Sequence, residues 1–217
     1  MSAEQRYLEL LHGIAELAQQ CGRPKDEITL ITVSKGHSWQ ETAPFYTAGS
    51  RDFGESKYQE AAEKISEAPT DIRWHLIGTL QRKKVAKVIG KFSLIHSVDT
   101  PELALKLAAT AKEESIQQSI LLQVNTSGEE SKHGLSPEAW REEVETLLMQ
   151  PHLRVEGLMT MAPLTEDEKV IRRCFQRLRE FRDELGLKHL SMGMSHDYRI
   201  AIEEGATLLR IGSALFE

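Results

Sequence analysis

A chain of 217 residues suits a single α/β barrel, and 40% hydrophobic residues suffice for a sizeable core. The formal net charge of -6 argues against a dedicated nucleic-acid binder, and no run approaches the ~18 apolar residues of a membrane span. Cys21 and Cys174 stand far apart without metal-ligand spacing, and residues 1–6 lead into a helix rather than a signal peptide. Both features point to a cytoplasmic protein with reduced thiols.

Tyr7, Leu8, Leu10, Leu11, Ile14, Leu17 and Ala18 recur at helical spacing, so residues around 3–21 form an amphipathic helix that Gly22 and Pro24 stop. Residues 28–35 are dominated by β-branched residues and leucine, the pattern of a strand buried on both faces, and they end on Lys35. A helix follows at 38–47, with Ser38 as N-cap. A short strand and turn at 51–54 precede a helix at 55–65, a strand at 73–78 a helix at 81–89, and a strand at 93–98 a helix opening on Thr100-Pro101-Glu102. The same rhythm continues with a strand at 119–125, a helix capped at Ser136 and running to Leu148, a strand at 153–159 and a long helix at 166–185. A weak strand at 189–192, a helix at 195–204 and a strand at 207–212 complete it. About eight alternating units in one domain of 1–217 predict a (β/α)8 barrel rather than an open doubly wound sheet.

In such a barrel the polar residues at the carboxyl ends of the strands converge on one mouth. The candidates are Lys35, Glu55 and Ser56, His75 and Gly78, Ser97 and Asp99, Asn125, residues 159–161, Ser195, and Arg210 with Gly212 and Ser213. Gly193-Met194-Ser195 and Gly212-Ser213 read as two halves of a phosphate cradle, because glycine lets the backbone approach an anion and serine donates to it. Each pair alone also reads as an ordinary turn. A strand-end lysine facing a phosphate cradle suggests pyridoxal phosphate, bound through the lysine amine. Lys35 instead reads as a side chain reaching out to water if nothing there uses it, and Arg210 either faces a pyridine nitrogen or makes a salt bridge at the rim. The eight histidines show no spacing suited to a metal. Lys132-His133-Gly134 reads as a solvated loop whose basic character could also serve phosphate entry or a partner.

The ordered segments Val33-Ser34-Lys35, Phe53-Gly54-Glu55, Trp74-His75-Leu76-Ile77-Gly78-Thr79-Leu80-Gln81, Ile95-His96-Ser97-Val98-Asp99 and Gln123-Val124-Asn125 carry a resemblance. So do Lys132-His133-Gly134, the stretch 157–163, Leu190-Ser191-Met192-Gly193-Met194-Ser195 and Arg210-Ile211-Gly212-Ser213-Ala214-Leu215-Phe216. The chain resembles the pyridoxal phosphate homeostasis proteins, single-domain relatives of the alanine racemase N-terminal barrel. The resemblance implies pyridoxal 5′-phosphate held as a Schiff base on Lys35, with phosphate contacts from Ser195, Gly212 and Ser213 and with Arg210 near the pyridine nitrogen. Ile211 belongs to the same binding segment, and Met161, Trp74 and His75 are implied around the ring. Such proteins carry, buffer or deliver the cofactor and affect amino-acid metabolism, so apo forms of cofactor-dependent enzymes are the expected recipients.

Three features depart from the family pattern. Ser56 stands where asparagine is usual after Phe-Gly-Glu, which weakens any contact to the cofactor's ring hydroxyl or routes it through water. Lys83 takes another asparagine position, and the sequence stops at Phe216-Glu217 where relatives usually continue. Two enzymatic readings compete. A racemase or decarboxylase would need a second base beside the lysine, which in related racemases is a tyrosine from a separate β-domain; here only Tyr7, Tyr46, Tyr58 and Tyr198 are available. A barrel enzyme acting on a phosphorylated sugar would use Lys35 as an electrostatic clamp. The well-charged helical faces lead to the expectation of a monomer.

Overall fold

The 28–35 stretch becomes β1 (Thr29–Val33), whose Leu30 joins the outer core while Ile31 joins a separate interior cluster. That division is what a strand covered on both faces requires. In the computed structural model, which describes residues 1–129 and 132–217, seven further strands follow. They are β2 (Asp52–Glu55), β3 (Arg73–Leu76), β4 (Leu94–Val98), β5 (Gln118–Gln123), β6 (Leu153–Met159), β7 (His189–Ser191) and β8 (Leu208–Ile211). All pair in parallel in chain order, and β8 returns to β1 to close the barrel. This is the expected (β/α)8 architecture.

The helices between them are α2 (Trp39–Thr47), α3 (Tyr58–Glu67), α4 (Val85–Val88), α5 (Pro101–Glu113), α6 (Pro137–Leu148), α7 (Glu168–Leu185) and α8 (Tyr198–Glu203). Their starts follow local chemistry. The hydroxyls of Ser38, Thr100 and Ser136 accept from the backbone N–H of Glu41, Leu103 and Ala139, satisfying donors that a helix leaves orphaned at its first turn. α7 buries Ile171, Cys174, Phe175, Leu178 and Phe181 against the sheet and turns its arginines outward. Trp140 of α6 is fully buried, and its indole N–H donates to the Gln123 carbonyl at 3.0 Å, fixing α6 to the end of β5. Before β1, α1 (Ala3–Gln20) buries Tyr7, Ile14 and Ala18 and packs on α2 and α8.

Several boundaries differ from the sequence-based expectation. β1 ends at Val33, so Lys35 lies in a turn closed by His37 N–H donating to the Ser34 carbonyl at 3.2 Å. Glu55 ends β2 instead of starting a helix, and α3 begins only at Tyr58, which leaves Ser56 in the connecting bend. The 81–89 helix is a 3-10 turn (Arg82–Lys84) followed by the single turn of α4. α8 starts at Tyr198, because residues 195–197 form a turn in which the Asp197 carboxylate accepts from Met194 N–H at 2.6 Å. A final turn, α9 (Ser213–Phe216), was not expected and packs on α1.

Side chains alternate along each strand. Ile31, Leu94, Leu121, Met159 and Leu208 point into the barrel and form a small interior cluster. Asp52, His75, His96, Ser191 and Arg210 share that inward parity on their strands and are all buried. Polar and apolar side chains therefore share the barrel interior, with Ile31 in register with Arg210, His75 with Leu94 and Ser191 with Leu208.

Candidate functional site

Above the carboxyl ends of the strands lies a cavity of about 430 Å3 lined by Val33, Lys35, Ser56, Ile77, Gly78, Thr79, Gln123, Met161, Met194, Ser195, His196, Arg210, Gly212 and Ser213. Pockets of roughly 300–1,000 Å3 hold small ligands and cofactors. Seven of the ten residues that the sequence assigns to the cofactor meet here: Lys35, Ser56, Met161, Ser195, Arg210, Gly212 and Ser213. They come from positions up to 178 residues apart, brought together by barrel closure.

The other three lie elsewhere. Ile211 is fully buried in the outer core, because it sits one residue past inward-facing Arg210 and so points out of the barrel. His75 faces inward but lies deeper than the cavity, with its ring bonded to Asp52 and His96. Trp74, implied beside it, points outward, with its ring 5.7 Å from that of Phe53.

Lys35 is exposed at the cavity and makes no hydrogen bond or ion pair among the described residues. The backbone that launches it is firmly held. The Lys64 ammonium, from α3, donates to the Ser34 carbonyl and to the Glu55 carboxylate, and the Ser34 hydroxyl donates to the same carboxylate oxygen. Glu55 is fully buried and Lys64 nearly so. Sequence reading missed Lys64, although its place three residues after buried Ala61 puts it on the inner face of α3. Phe216 of α9 adds a second brace, stacking on His37 with ring centroids 3.7 Å apart and meeting Phe45 edge-on at 4.9 Å.

On the β7–β8 side of the cavity, Ser195 and the Gly212-Ser213 turn lie side by side, with Ala214 N–H donating to the Ser195 hydroxyl at 3.3 Å. Gly193, ahead of this serine, has φ +91°, and a Cβ there would press on the Ala201 methyl, so both backbone shape and space call for glycine. Arg210 is 5% exposed; its guanidinium donates to the Ser191 hydroxyl and, at 2.9 Å, to the Thr160 carbonyl. Burial lowers its pKa to about 10, opposed by the Asp197 charge, so it remains a cation at neutral pH. At the rim, Lys132 donates to the Met161 carbonyl at 3.1 Å and His133 Nδ1 meets the Asp99 carboxylate at 3.1 Å.

The site can therefore offer a free primary amine, a cluster of hydroxyls and turn amides suited to an anion, and a buried cation, all on one cavity. The profile of the alanine racemase N-terminal domain matches residues 9–217. The pyridoxal phosphate homeostasis protein of Aquifex aeolicus (strain VF5) is 41% identical over 223 aligned positions, which span 100% of this chain and 98% of that protein. The chain belongs to this family. Solved structures agree with the family assignment. A protein from Bifidobacterium adolescentis matches with a TM-score of 0.94 at 33% identity, covering 99% of this chain and 94% of that one. PipY of Synechococcus elongatus PCC7942, solved with PLP bound, matches with a TM-score of 0.83 at 36% identity, covering 94% of this chain and 100% of that one.

Proposed function

We propose that this chain binds pyridoxal 5′-phosphate at the barrel mouth through Lys35 and serves cofactor homeostasis as a carrier or buffer that influences amino-acid metabolism. The observation that carries the reading is the convergence of Lys35, Ser195, Arg210, Gly212 and Ser213 on one cavity. Family membership and the PLP-bound PipY relative support it. The bound cofactor would supply an aldehyde, with which the Lys35 amine forms a C=N bond as one water leaves. Ser195, Gly212 and Ser213 would hold the phosphate through hydroxyls and amides. Arg210 would face the ring nitrogen; as a donor-only cation it needs an unprotonated acceptor there and so disfavours the protonated ring on which carbanion chemistry depends.

A carrier reading is further favoured over racemisation by the lining itself. Among the described residues no tyrosine, the second base expected of a related racemase, lines the cavity, and the imidazole that does, His196, lies 3.4 Å from the Asp197 carboxylate. Residues 1–217 act as one binding unit in this reading, monomeric and cytoplasmic, with apo enzymes as recipients. Among the described residues, no helix is long and apolar enough to cross a membrane.

The test is the absorbance of the purified protein after loading, before and after borohydride, for wild type and Lys35→Ala. The expected result is a violet band at roughly 400–430 nm that borohydride removes, with the adduct on the Lys35 peptide. A wild type that takes up no pyridoxal phosphate would overturn the reading.

A further inference from the structure

Five inward-facing polar side chains inside the barrel form one continuous chain of hydrogen bonds. Arg210 on β8 donates to the Ser191 hydroxyl on β7, and Ser191 Oγ meets His96 Nδ1 on β4 at 2.8 Å. His96 Nε2 meets His75 Nδ1 on β3 at 2.9 Å, and His75 Nε2 meets the Asp52 carboxylate on β2 at 3.0 Å. Arg73 closes the far end, with its Nε donating to the same carboxylate at 2.7 Å. The chain crosses the interior from the mouth to the base.

Its direction follows from its ends. Arginine can only donate and an ionised carboxylate can only accept. Since Ser191 accepts from Arg210, its own proton must go to His96 Nδ1; His96 then carries its proton on Nε2 and donates to His75 Nδ1. His75 in turn carries its proton on Nε2 and donates to Asp52. Reversing the histidines would leave the Ser191 hydroxyl proton without an acceptor among the described residues, a costly state at a side chain that is fully buried. Full burial, with a lesser contribution from the Arg210 charge, also keeps the His96 imidazole neutral.

We propose that Ser191, His96 and His75 are positioning residues for Arg210, forming a single-direction relay that ties the guanidinium to Asp52 across the barrel. The relay fixes two N–H groups of Arg210, together with the Thr160 carbonyl, and leaves the remaining donors for the cavity. It also places Asp52, the carboxylate at its far end, away from the cavity. The ring nitrogen of a bound cofactor would therefore meet a cation held in place. This last consequence rests on the cofactor reading above; the relay itself does not.

The test uses the full chain labelled with 15N. In the protein without cofactor, His96 and His75 should both appear as neutral imidazoles protonated on Nε2, and the Arg210 guanidinium should show separate, slowly rotating Nη signals. Ser191→Ala should mix the His96 tautomers and collapse those Nη signals. In the loaded protein the same variant should weaken pyridoxal phosphate binding about tenfold, the loss expected for one hydrogen bond to a charged group, and shift the visible band. A wild-type His96 protonated on Nδ1 overturns the relay, as does a Ser191→Ala protein whose Arg210 signals are unchanged. Failure of the wild type to take up cofactor would sink the functional reading alone, because the tautomers and guanidinium signals are read without it.

Discussion

Replacing Lys64 by methionine removes the ammonium that ties α3 to the backbone beneath Lys35 while keeping a long apolar side chain. The Glu55 carboxylate it leaves behind is fully buried, retains the Ser34 hydroxyl as a donor to Oε1, and has no partner for Oε2 among the described residues. Stranding one member of a buried ion pair costs about 3–5 kcal/mol, whereas replacing both members with uncharged groups costs far less. For a chain of this size that corresponds to a fall in Tm of roughly 6–20 °C. The assay is urea unfolding of wild type, Lys64→Met, Glu55→Gln and the double variant, read as a thermodynamic cycle. The double variant should recover much of the loss. Lys64→Met within 1 kcal/mol of wild type would refute the reasoning, since it would mean that the carboxylate is neither charged nor confined in the folded protein.

Two other perturbations read the same architecture. Burial pushes the imidazole of His96 well below its usual range, so the folded protein keeps it neutral while the unfolded chain takes up a proton near pH 6.5, and the lowered pKa of His189 acts in the same direction. The unfolded state then binds more protons, and stability falls as pH drops below about 6.5, by up to ~1.4 kcal/mol per unit for each histidine; denaturant unfolding between about pH 7.5 and 5 should show this slope, and a flat profile would contradict it. Phe216→Ala removes both aromatic contacts of α9, for an expected loss of about 1–3 kcal/mol, and should speed hydrogen exchange at His37 N–H, which closes the turn beyond β1; unchanged exchange would show that the turn does not depend on the stack.

The barrel was legible because its strands are apolar runs separated by helices with recognisable starts. Ser38, Thr100 and Ser136 announce those starts and do cap them. What the sequence lacked was depth and direction. Strand parity alone separates Ile211 from Arg210, because neighbours on a strand face opposite ways. Parity could not separate His75 from Ile77, two inward-facing residues of which only the latter reaches the cavity; that distinction depends on where the strand ends. His96 sits in an apolar run and reads as ordinary strand interior. Its partner Ser191 lies 95 residues away across the lumen, a pairing that only closure of the sheet creates. Lys64 was hidden for a similar reason: a lysine on a helix reads as solvated until the helix is docked.

At Gly78 the chain leaving β3 passes directly over the backbone of Ser56, and a Cβ there would run into the Ser56 carbonyl. Ser97 donates to the Gly78 carbonyl at 2.6 Å from the other side. The gap between these two loops is thus set by main chain resting on main chain. Residues 56 and 79 can be exchanged without moving the wall that carries them, so the chemistry facing the ligand can drift while the aperture keeps its gauge. A side chain at position 78 would do the opposite, prising the mouth open with no change to the groups that line it.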